Sequence, residues 1–138
     1  SDPVVALAPR AWAVVPEAPA IVLPAALLLP ARGANANDFG AAFGVASAAY
    51  REGRFTEAAT ALNDLTARFS EVPEGWFYLG ASRLLSGDAA GAVEPLRRAR
   101  TSTVVGPDAA WLEAVALERA GRRAEAATAI RAMCAGAE

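Results

Sequence analysis

An all-α fold of three helical hairpins, six helices preceded by an extended Pro-rich segment, is what this sequence predicts, on three observations. Glycine recurs at a fixed interval, since Gly53, Gly87 and Gly121 are evenly spaced (87 − 53 = 34; 121 − 87 = 34), and such a period marks a repeat array. Every glycine carries the same frame. Seven residues before it stands a residue with little or no side chain (Ala46, Gly80, Ala114), and five after it an alanine (Ala58, Ala92, Ala126). A branched aliphatic follows four later (Leu62, Leu96, Ile130), then an apolar residue three later (Leu65, Ala99, Met133). Steps of three, four and seven are helical. The third observation is that six of the nine prolines fall within 1–37, where they break any helix and favour extended backbone.

That N-terminal segment, 1–37, holds the apolar runs Ile21-Val22-Leu23 and Ala25-Ala26-Leu27-Leu28-Leu29 and is too apolar for an ordinary disordered linker. A membrane-spanning helix does not fit, because Pro16, Pro19, Pro24 and Pro30 interrupt it and its apolar runs fall far short of about 20 residues. A signal peptide would need a basic start that is missing. The opening Ser1-Asp2-Pro3 predicts a piece of a longer protein.

The repeat domain is expected over 38–138, with units at 39–72, 73–106 and 107–138. Its first helix, 38–52, should start from Asn37 or Asp38 as N-cap. Gly53 then reverses the chain, since glycine takes positive φ without a Cβ clash. Helix 55–69 opens with Phe55, placed to plug the gap between the first two helices. Pro73 suits the first turn of helix 73–86 and Pro107 that of helix 107–120, where a missing N–H costs little, and Glu74 and Asp108 favour the positive end of the helix dipole. Gly87 and Gly121 separate these from helices 89–101 and 123–135. Small residues at 46, 80, 114, 58, 92 and 126 let paired helices approach closely.

On these residues the chain resembles the tetratricopeptide repeat family, whose unit carries a bulky residue, then Leu-Gly, then Gly-x-x-x-x-Ala at this same period. The middle copy matches best, with Trp76, Leu79-Gly80, Gly87-Asp88, Ala92, Leu96 and Ala99 in register. The first copy has a small Ala42 at the bulky position, and the third has Trp111 one place late. The resemblance covers about 39–138 and implies a right-handed superhelix whose first helices line a concave groove. Carried over, the groove positions are Phe43, Ser47, Tyr50, Arg51, Glu74, Phe77, Ser82, Leu85, Trp111, Val115 and Glu118. That groove is aromatic and mostly uncharged, and it lacks the lysine and asparagine clamp by which some members hold a C-terminal carboxylate.

Composition excludes much else. With 54% hydrophobic residues in 138, the chain can bury one core. A net charge of −2 gives no electrostatic case for nucleic acid. Arginines cluster at Arg97, Arg98 and Arg100 and at Arg119, Arg122 and Arg123, which reads as solvated helix ends. Histidine and lysine are absent and there is one cysteine, so Cys–His nucleophiles, Schiff-base lysines, phosphate-loop lysines and zinc sites of cysteine or histidine have no residues to build them. No metal or other cofactor is implied, and the acidic residues lie mostly on expected exposed faces with no sign of a shared pocket, so the chain reads as non-catalytic. Cys134 reads as a small packing residue, with intermolecular pairing as the alternative.

The expected function is a protein-interaction scaffold that binds an extended or helical protein segment, without nucleic acid and without membrane insertion of this stretch. Three positions for the apolar N-terminal ribbon stand open: along the groove, as a cap on the first hairpin, or paired with a second copy in a homodimer. In the groove reading, 14–32 runs extended with Val22, Leu23, Leu27, Leu28 and Leu29 supplying the apolar contacts to Phe43, Tyr50, Phe77 and Trp111. At the other end, Ile130 and Met133 lack a following helix to shield them. Competing readings are a regulatory or accessory domain of a larger catalytic protein and an apolar-ligand-binding sensor module. The Pro-rich stretch ending in Arg32-Gly33, followed by Gly-x-Ser-Arg-Leu-Leu-x-Gly at 80–87, also resembles the region beyond the membrane in bacterial anti-sigma-factor-like proteins. That resemblance implies an extracytoplasmic position, and without it a cytoplasmic one is expected. Arginine without lysine, amid abundant alanine, hints at a GC-rich bacterial genome.

Overall fold

A computed structural model describes residues 17–24, Leu27 and 34–136. Within them the chain forms seven helices: α1 (Ala34–Ala46), α2 (Ala48–Arg51), α3 (Phe55–Arg68), α4 (Pro73–Leu85), α5 (Ala89–Ala99), α6 (Gly106–Arg119) and α7 (Arg123–Gly136). No strand occurs among the described residues. Each helix packs on the next, and α4 also touches α6 across the intervening α5.

The glycine period has a direct structural meaning. Gly53, Gly87 and Gly121 have φ of 77°, 96° and 82°, and they are the described residues with positive φ. In each copy the glycine N–H bonds the carbonyl three residues back and the following N–H bonds the carbonyl five residues back. These pairs are Gly53 to Tyr50 with Arg54 to Ala49, Gly87 to Leu84 with Asp88 to Arg83, and Gly121 to Glu118 with Arg122 to Leu117. Each is a Schellman closure, which satisfies helix-end carbonyls through a left-handed residue. One turn chemistry, repeated at the period of the sequence, thus reverses the chain three times.

Close approach explains the small residues. A Cβ built on Gly80 would lie 2.6 Å from Leu96 Cγ, so α4 and α5 touch where a side chain is missing. Ala58, Leu62, Ala92, Leu96, Ala99 and Ala114 are fully buried, and Leu65 and Ala126 nearly so. In the third unit the frame opens. Ile130 and Met133 are only partly covered, and Cys134, expected to pack, is exposed because α7 has no helix after it to pack on among the described residues.

Two boundaries differ from expectation by more than one residue. The first helix begins at Ala34, so Asn37 and Asp38 lie in its first turns rather than capping it, and alanine at 34 and 36 lets it extend. It also breaks at Ser47 (φ −88°, ψ 0°) into α1 and α2. Arg51 reaches back across this break, donating from Nη1 to Ser47 Oγ at 2.6 Å and to the Gly44 carbonyl at 3.3 Å. Helix α5 stops at Ala99 rather than 101. Ser102 Oγ then accepts from the N–H groups of Val104 and Val105, both at 3.1 Å, ahead of α6.

Helix α5 contains Pro95, which cannot donate to the Gly91 carbonyl one turn earlier. Arg83 of α4 fills that gap, donating from Nη1 to Gly91 O and from Nη2 to Asn63 Oδ1 of α3, each at 3.0 Å. One guanidinium therefore ties three helices together. Arg83→Met is expected to destabilise the fold by about 1–2 kcal/mol, because it strands a partly buried carbonyl. In a Pro95→Ala background the backbone N–H restored at position 95 bonds Gly91 O, and the cost of losing Arg83 should shrink. Denaturant melts of the four chains measure that coupling, and equal losses in both backgrounds would refute the compensation.

Candidate functional site

All five phenylalanines and both tyrosines of the chain meet in one cluster. Phe39 stacks on Phe43 (centroids 5.6 Å apart) and sits edge-on to Phe69 (5.5 Å). Phe43 leads to Tyr78 at 5.5 Å. Tyr78 then takes Tyr50 (5.4 Å) and Phe77 (4.9 Å) against its faces and edges, and Tyr50 meets Phe55 at 5.6 Å. The cluster joins α1, α2, α3 and α4, with Phe69 from the turn after α3. The third unit is filled instead by Ala109, Leu112, Val115, Ala116 and Leu117.

Tyrosine differs from phenylalanine by a hydroxyl that needs a partner when buried. Tyr50 and Tyr78 are 4% and 0% exposed, and both turn their hydroxyls to the main chain of 19–22. Tyr50 Oη donates to the Pro19 carbonyl at 2.5 Å. Tyr78 Oη accepts from the Val22 N–H at 2.7 Å and lies 3.1 Å from Ala20 O and 3.2 Å from Val22 O, to which it donates its single proton. Residues 17–24 have no helix or strand, and their exposure alternates. Pro19, Ile21 and Leu23 are partly covered, whereas Ala20 and Val22 face out. Ile21, Leu23 and Leu27 pack on the core. Leu27 N–H bonds the Pro24 carbonyl at 3.0 Å, and the Leu27 carbonyl passes so close to α1 that a Cβ on Gly40 would lie 2.9 Å from it.

Both phenols are held protonated beyond the ordinary tyrosine range. For Tyr50 burial is the main cause, followed by the neighbouring Tyr78. For Tyr78 burial again leads; the Val22 hydrogen bond opposes it, and the carboxylates of Glu74 and Asp108 reinforce it.

The other expected site residues fall elsewhere. Phe43, Ser47, Phe77, Ser82 and Val115 are buried, and Ser82 Oγ is bound to the Tyr78 carbonyl of its own helix at 2.7 Å, so it offers no free hydroxyl to a groove. Arg51 is exposed and borders a recess beside Tyr50 and residues 18–21. Leu85 and Glu118 are partly exposed, Glu118 pairing with Arg123 at 3.3 Å, and Trp111 is half-exposed on α6. Val22, expected to supply an apolar contact, has a 52% exposed residue surface and engages through its backbone instead. Leu28 and Leu29 lie outside the described residues. Tyr78 and Gly40 escape the groove spacing. The signal for Tyr78 was chemical rather than periodic, a phenol on a helix otherwise packed with apolar residues.

The cluster of Arg97, Arg98 and Arg100 also differs from a solvated helix end. Arg97 Nε and Arg100 Nη1 bind the carboxylate of Glu113, itself only 3% exposed, at 2.8 and 3.2 Å. Arg98 lies 4.5 Å from the ring centre of Trp76. Among the described residues no group of three or more acidic or thiol side chains could hold a metal ion, and no helix is long and apolar enough to cross a membrane.

A family model described as tetratricopeptide repeat matches residues 25–69 and again 43–103. No curated protein and no solved structure matches the chain. The two matches overlap and together span residues 25–103, more than half of the sequence. With the Schellman turns repeating at one constant interval, they settle the assignment: the chain belongs to the tetratricopeptide repeat family.

Proposed function

We propose that the protein is a non-catalytic interaction module whose first two units bind an extended segment, and that its own residues 19–24 and Leu27 occupy this site. Tetratricopeptide repeats generally mediate protein–protein interaction and are typically non-catalytic. The observation that carries the finer reading is the pair of buried phenols, Tyr50 and Tyr78, turned to the main chain of Pro19, Ala20 and Val22. Main-chain contacts of this kind fix an extended ligand regardless of most of its side chains, while apolar residues on the inward side add burial.

Releasing the resident segment tests this. The paired substitution Ile21→Asp, Leu23→Asp places carboxylates against the aromatic cluster and should free the site. The variant is expected to keep its helical circular dichroism and to bind a labelled peptide of residues 17–27 saturably. The unsubstituted chain, its site occupied, should bind about ten-fold more weakly or less, since apparent affinity falls with the fraction of open molecules. A folded variant that ignores the peptide would sink the proposal.

A further inference from the structure

Resting on that reading, we infer that the partner displacing the resident segment presents an extended stretch of the form Pro-x-aliphatic-x-aliphatic, and that its fourth position must carry an N–H. The frame follows from residues 19–24. Proline fits the first position because Tyr50 uses only the Pro19 carbonyl, for which no N–H is needed. The third and fifth positions, Ile21 and Leu23, pack on the hydrophobic core and must be apolar. The second and fourth, Ala20 and Val22, face outward, so their side chains are free to vary.

Position four nonetheless has a strict demand. Its N–H donates to Tyr78 Oη at 2.7 Å, and the same hydroxyl then has its proton available for Ala20 O or Val22 O. Proline there removes the donor and leaves a buried phenol half-satisfied, whereas lysine or serine keeps the backbone bond intact. Charge also orients the ligand. Exposed Arg51 lies by the Pro19 end. An acidic residue before the first proline therefore suits the site. The resident segment has Glu17 in that place.

The test uses labelled peptides of residues 17–24 and the full chain carrying Ile21→Asp and Leu23→Asp, read by fluorescence anisotropy. The native peptide and its Val22→Lys form should bind within about two-fold of one another, and Val22→Pro should lose about ten-fold or more, the loss of one charge-free hydrogen bond in a covered site. If Val22→Pro binds as well as the native peptide, the frame is wrong while the binding site stands. If no peptide binds to the folded variant, the underlying site falls as well. A second readout needs no released variant. In the intact chain Val22→Pro should lower the melting temperature, and Val22→Lys should not; equal behaviour of the two would overturn the N–H requirement.

Discussion

Gly80→Ala is expected to destabilise the fold by about 2 kcal/mol, although alanine is the better helix former. The new methyl would fall 2.6 Å from Leu96 Cγ and 2.8 Å from its Cδ2, closer than packed carbon atoms allow. Helices α4 and α5 would have to part at the tightest point of the second unit. Leu96→Ala alone removes a fully buried side chain and should cost about 3 kcal/mol through lost burial and the cavity left behind. The double variant is the informative one. Its alanine at 80 projects into space vacated by Leu96, so the combined loss should be about 3 kcal/mol rather than the sum. Denaturant melts of the three variants measure this coupling. Strict additivity would mean that the approach of Gly80 to Leu96 does not set the helix spacing.

The second large effect is alkaline. Tyr50 and Tyr78 are the two tyrosines of the chain, so tyrosinate absorbance reports on the segment contact alone. Both phenols have folded-state pKa values above the ordinary value of about 10, chiefly through burial. A group raised in the folded state contributes stability that is fully present below its unfolded pKa and is lost as pH rises through the folded one. Stability should therefore be level with respect to these groups up to about pH 10 and fall steeply above it, with both tyrosines ionising together as the structure opens. In the Ile21→Asp, Leu23→Asp chain their titration should move back toward the ordinary range. Early, independent ionisation of both tyrosines in the unsubstituted chain would contradict the burial of the hydroxyls under the segment.

Much of the helical frame is legible in the residues alone. Gly53, Gly87 and Gly121 announce three reversals because a Schellman closure needs a left-handed residue, a local demand that glycine meets wherever it occurs. Pro73 and Pro107 mark helix starts for an equally local reason, the absent N–H. Pairing partners are another matter. Nothing in the pattern joins Arg83 to the carbonyl that Pro95 leaves open, because that bond spans two helices whose relative rotation is set by packing. Glu113 likewise becomes buried between Arg97 and Arg100 only when α5 and α6 meet.

The candidate site divides the same way. Helical spacing assigns a face to Tyr50, Phe77 and Ser82, but which of them ends in the core depends on the neighbouring helix, and Ser82 spends its hydroxyl on its own helix. The repeat, its period, its turns and its small-residue contacts follow from the residues alone, since each rests on interactions within a few residues or on a pattern that recurs. Tertiary structure alone decided that a phenol at 78 faces a main chain 56 residues away, that Val22 engages by its N–H rather than its side chain, and that seven aromatic rings gather in the first two units. Those outcomes depend on where distant backbone passes, and a buried hydroxyl binds whatever polar group the finished fold brings within reach.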